Sequence, residues 1–147
     1  MTNTVKISLS PIIADFFECI NRKKPGSFSA LLYGYASKIP DEFQYKEPVN
    51  RNKRKLSYPV GGTLSPKCRY FIPQVKQNEF ENMMKFIFDE LFFLFLDVSK
   101  EYTDEQYNVL IEYFCLKYEL DYCSYFGLLK KKHYRKRIEL TKTHKKS

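Results

Sequence analysis

Residues 4–9 alternate in character: Val5, Ile7 and Leu9 are apolar, while Thr4, Lys6 and Ser8 are polar. A period of two sends the two sets to opposite faces of a strand, and the β-branched residues favour that backbone. Ser10-Pro11 then reads as a helix start, because serine caps well and proline fits the first helical position. Ile13, Phe17 and Ile20 recur at helical spacing beside Phe16, with Asp15 and Glu18 on the wetter side. Asn21-Arg22-Lys23-Lys24-Pro25-Gly26 closes the helix, with cations at its negative end and turn residues after them. A second helix is predicted over 29–37, presenting Leu31, Leu32 and Tyr35. Gly34 weakens it and Pro40 stops it. A strand with one apolar face and two short helices cannot bury that face alone, so the segment asks for a partner.

Periodicity fades over 41–77. Pro48, Pro59, Pro66 and Pro73, with Gly61-Gly62, punctuate a basic stretch that includes Arg51, Lys53, Arg54 and Lys55. This predicts a basic loop or linker, with short strands around 56–60 and 69–72. So long an irregular connection points to a function or a domain boundary. Three helices are predicted beyond it. Asn78 caps the first, whose apolar residues, from Phe80 through Phe92, Phe93 and Phe95 to Val98, run nearly all round, as in a central or interface helix. Thr103-Asp104-Glu105-Gln106 reads as a capping box for the second, with Tyr107, Leu110, Ile111, Phe114 and Tyr118 on its stripe. The third begins near Asp121 and ends in a basic run, 130–137. The expected class is therefore mainly α, organised as a strand-helix-helix module (1–40), a basic Pro-containing loop (41–77), a three-helix domain (78–140) and a mobile basic tail (141–147).

Charge sharpens this picture more than composition does. Of 147 residues, 13 are Phe and 12 Tyr with no Trp, which supplies large rings for a small core or an interface. Residues 1–77 hold 13 Lys/Arg against 5 Asp/Glu, residues 78–127 hold 3 against 11, and residues 128–147 hold 9 against 1. Basic ends around an acidic middle suggest a polyanionic partner and acid–base contact between protomers. Cys19, Cys68, Cys115 and Cys123 lack CxxC spacing, and only His133 and His144 accompany them, so no metal site is expected. They read as reduced core residues of a cytoplasmic protein. The start of the chain lacks the pattern of a signal peptide. The most apolar stretch, 86–96, is interrupted by Asp89 and Glu90 and is too short to span a bilayer, so no membrane partner is expected.

From Val5 to Ala36 the sequence VKISLSPIIADFFECINRKKPGSFSALLYGYA resembles the ribbon-helix-helix family of DNA-binding proteins, the MetJ/Arc type. Leu9, Pro11, Ile13, Phe17, Ile20, Gly26, Ser29, Leu31 and Leu32 fall in similar relative places. The resemblance covers about a quarter of the chain. It implies a homodimer in which two copies pair their strands into a ribbon lying in the major groove of duplex DNA. Thr4, Lys6 and Ser8 would then meet base edges. The amides of Ser27, Phe28 and Ser29 would hold a phosphate, with Arg22, Lys23 and Lys24 adding backbone contacts. Arg51, Lys53, Arg54, Lys55, Lys130, Lys131, Lys132, Arg135, Lys136 and Arg137 would serve as auxiliary basic contacts.

No GxGxxG, P-loop, HExxH or GxSxG occurs, and helix ends and caps account for the acidic group Asp97, Glu101 and Asp104. The sequence expectation is thus a non-enzymatic, dimeric DNA-binding protein without cofactor, acting as a repressor or as a replication or transfer accessory factor. The competing class is a structural or assembly protein of a phage or mobile element, using its aromatic helices to bind a second protein.

Overall fold

The alternating segment forms strand β1 (Thr4–Leu9) in the computed structural model, which describes residues 3–46, 51–61 and 64–145 apart from the side chains at 27 and 142–145. Val5, Ile7 and Leu9 are buried and Lys6 is exposed, as a period of two requires. The described chain then runs through α1 (Pro11–Lys23), α2 (Ser27–Tyr33), β2 (Ser37–Ile39), β3 (Arg54–Pro59), β4 (Arg69–Phe71), α3 (Gln74–Tyr102), α4 (Tyr107–Lys117) and α5 (Tyr122–Lys145). It is mainly helical, with two small two-stranded antiparallel sheets, β1 with β3 and β2 with β4.

Several expected boundaries move, each for a visible reason. The helix expected over 29–37 starts at Ser27 and ends at Tyr33, because residues 37–39 pair with β4 instead. The 41–77 segment is no free linker: β3 and β4 return it to the residues before position 40. Pro48 and Gly62, two of its turn residues, lie outside the described residues. Helix α3 begins at Gln74, four positions before the expected cap at Asn78. Thr103 does not open α4. Its N–H and its hydroxyl both donate to the Ser99 carbonyl, at 2.9 and 2.8 Å, and close α3 instead. Helix α5 continues to Lys145, so the backbone of the expected mobile tail is helical that far, while residues 146–147 lie outside the description.

The chain divides into two compact units, Met1–Phe88 and Asp89–Ser147, and the division falls within α3. Boundaries expected at 40/41 and 77/78 are displaced because strand pairing ties 41–77 into the first unit. That unit has an aromatic core: Phe16 meets Phe88 edge-on at 5.2 Å, and Phe17 meets Phe80 at 5.8 Å. Tyr35 and Tyr58 close its sides against Phe80 and Phe17. Burying Val5, Ile7 and Leu9 contributes roughly 1.5–3 kcal/mol each before chain entropy is set against it. In the second unit Phe92 meets Phe114 at 5.0 Å, among buried Leu96, Leu110, Ile111 and Leu129. No described helix is long and apolar enough to cross a membrane.

Candidate nucleic-acid interface

Antiparallel register decides which side chains share the outward face of the β1–β3 ribbon. Thr4 stands opposite Pro59, Lys6 opposite Ser57, and Ser8 opposite Lys55. Residues directly opposed in an antiparallel pair lie on the same face. Thr4, Lys6 and Ser8 therefore share theirs with Ser57 and Lys55, and Lys6, Ser57 and Lys55 are all exposed. Sheet geometry sets Lys6 and Lys55 on a diagonal, roughly 7 Å apart at their Cβ atoms. The opposite face carries Val5, Ile7, Leu9 and Leu56 into the core. The result is a two-stranded ribbon with a hydroxyl-rich face and two ammonium groups.

One edge of β1 is fully used inside the chain and the other in part. β3 takes one along its whole length. On the other, the Ser8 N–H donates to Gln77 Oε1 at 3.4 Å, and just past the strand the Ser10 hydroxyl donates to Glu81 Oε1 at 2.9 Å. Asn3 Nδ2 donates to the Cys68 carbonyl at 2.8 Å just before the strand. The expected pairing of β1 with a second copy's β1 is corrected accordingly: the strand partner is β3 of the same chain. Ser10 is likewise a cap by position only, since its side chain turns to Glu81.

The phosphate site expected at Ser27, Phe28 and Ser29 also meets an internal partner. Asn21 Oδ1 accepts the amides of Phe28 and Ser29 at 3.1 and 3.2 Å, so the side chain of the preceding helix satisfies the start of α2. Arg22, Lys23 and Lys24 lie exposed at the end of α1, where cations suit the helix dipole.

The basic loop residues separate. Lys53 donates to Glu81 Oε2 at 2.6 Å, and Arg54 pairs with Asp15 on α1. Arg51 lies exposed in a turn, and Lys55 joins the ribbon face. Lys53 and Arg54 are thereby each tied to a carboxylate of the same chain, Arg54 while still exposed. Burial pushes the Glu81 carboxyl up. The hydrogen bonds from Lys53 and Ser10 and the charges of Lys53 and Lys85 pull it down further, leaving it below the ordinary value.

The 130–137 run separates as well. Lys132 pairs with Asp89 at 2.8 Å, Lys136 lies over the Phe93 ring, Arg137 over Tyr107, and Lys130 over Phe126. Lys131 and Arg135 are exposed on the opposite side of α5. Sequence reading assigned no site role to Ser57 and counted Lys55 as a loop contact. The only signal was Leu56 standing between two polar neighbours.

Burial first, then Asp121 and Glu112, pushes the Cys115 thiol up to about 11; Cys19 is also buried, while Cys123, expected in the core, is exposed. Compared with protein-family models, curated proteins and solved structures, the chain matches none of them. What points to function is the chemistry of its own residues.

Proposed function

We propose that this protein binds duplex DNA without catalysis, through the outward face of the β1–β3 ribbon. One observation carries the reading: β1 and β3 align Thr4, Lys6 and Ser8 with Ser57 and Lys55 on one exposed face of a two-stranded ribbon. A ribbon of that width fits the major groove, where lysine reaches guanine O6/N7 and small hydroxyls donate or accept. Phosphate attraction comes from Arg22, Lys23, Lys24 and Arg51, all exposed within a first unit rich in Lys and Arg. The resemblance of residues 5–36 to ribbon-helix-helix proteins supports the same use of β1, with the second strand drawn from the same chain. A repressor or a replication or transfer accessory factor is the role such a face would serve.

Duplex binding measured across a salt series tests this for the intact protein and for Lys6→Ala/Lys55→Ala. The double variant is expected to bind its preferred duplex more weakly, by about 1–3 kcal/mol for each lost base contact, and to discriminate less between sequences, while the slope of log K against log salt, set by the phosphate contacts, changes little. Absence of binding by the intact protein at low salt would overturn the reading in favour of an assembly role, and so would unchanged affinity and sequence preference in the variant.

A further inference from the structure

In the second unit, the outward faces of α3 and α5 carry opposite charges on the same apolar spacing. On α3, Leu94 is 58% exposed and Val98 43%, with Asp97 and Glu101 exposed beside them. On α5, Tyr134 is 64% exposed and Ile138 36%, with Lys131 and Arg135 exposed beside them. Positions 94, 97, 98 and 101 follow the i, i+3, i+4, i+7 spacing of a helix–helix seam, and 131, 134, 135 and 138 repeat it. The inward faces are already occupied: Phe92, Leu96 and Leu129 are buried, and Lys132, Lys136 and Arg137 are held by Asp89, Phe93 and Tyr107.

We propose that these two faces form the interface between two copies of this chain, with α3 of one copy antiparallel to α5 of the other. In that direction a single register sets Leu94 against Ile138, Asp97 against Arg135, Val98 against Tyr134, and Glu101 against Lys131. Apolar residues meet apolar ones and acids meet bases at all four positions. Antiparallel helices also align their dipoles favourably. The occupant is a second copy because both complementary faces belong to one chain. A two-fold axis then forms the contact twice, with each copy giving one acidic and one basic face. The interface is independent of the DNA-binding reading and uses none of the ribbon residues.

Charge reversal with mixing provides the test. Sedimentation analysis should find the intact protein dimeric at micromolar concentrations. Asp97→Lys/Glu101→Lys alone, and Lys131→Glu/Arg135→Glu alone, should each weaken self-association at least about tenfold while keeping their helical circular dichroism. Mixed one to one, the two variants should associate again, because in the mixed pair every acidic face meets a basic one. Val98→Cys/Tyr134→Cys should cross-link between chains on oxidation, and neither single variant should match it. A monomeric intact protein, or a mixture that stays as weak as its components, would overturn the interface.

Discussion

Glu81 shows how one residue fixes the junction between β1 and α1. It is 4% exposed, and its carboxylate takes the Ser10 hydroxyl, the Lys53 ammonium at 2.6 Å and Lys85 at 3.5 Å. Such burial is tolerable only because the charge is paired and hydrogen-bonded. Burial raises this carboxyl and its partners lower it more, so its folded pKa lies below 4.5. A carboxyl depressed on folding stabilises the fold fully above its unfolded pKa, and that stability is lost as pH falls through the folded value. Glu81→Gln is therefore expected to cost about 1–3 kcal/mol near neutrality. The difference should shrink once the pH drops below about 4.5. Chemical denaturation of both proteins over a pH series checks this, and a gap that persists undiminished into acid would contradict it. Nothing in the sequence singles out Glu81, because a glutamate beside Phe80 reads as one more solvated helix position. Beyond Lys85 on its own helix, its partners lie 71 and 28 residues away.

At the scale of elements, α2 depends on a residue outside it. Its own N-cap is Gly26, in the left-handed region at φ 85, which offers no side chain to the first amides. Asn21, on the preceding helix, accepts the Phe28 and Ser29 amides in its place. Asn21→Ala should destabilise the protein by about 1 kcal/mol, the usual cost of a lost cap. Hydrogen exchange should quicken first at those two amides. Uniform change across the first unit would argue against a capping role. The turn at 24–26 is legible in Lys24-Pro25-Gly26, but the cap is not, because the turn must form before Asn21 can reach the second helix. The ribbon behaves alike. Alternation marks β1 plainly, whereas β3 has only Leu56 buried and Tyr58 half-buried between polar positions, and it ends in Pro59.

For the whole molecule, residues 1–40 are not a folding unit. Their core is completed by Leu56 from β3 and by Phe80, Met84 and Phe88 from α3. A fragment of residues 1–40 should accordingly lack dispersed amide resonances, while the full chain shows them. A well-dispersed spectrum from the fragment would refute this dependence. The same long reach decides the cations. Lys53 and Arg54 look equivalent to Lys55 in a basic loop, yet strand pleating turns Arg54 to Asp15 and Lys55 to the outward face.

By itself the sequence determined the period-two strand at 4–9, the helix beginning at Pro11, the mainly helical class and the basic–acidic–basic charge order. All of these follow from local backbone periods and from composition. Tertiary structure alone decided that β1 takes β3 as its partner, that the units divide inside α3, and that Lys55 joins Lys6 while Lys53 turns to Glu81. Those choices depend on which of several distant pairings buries the apolar faces while pairing the charges buried with them. That balance is struck across tens of residues and leaves no mark within any short window of sequence.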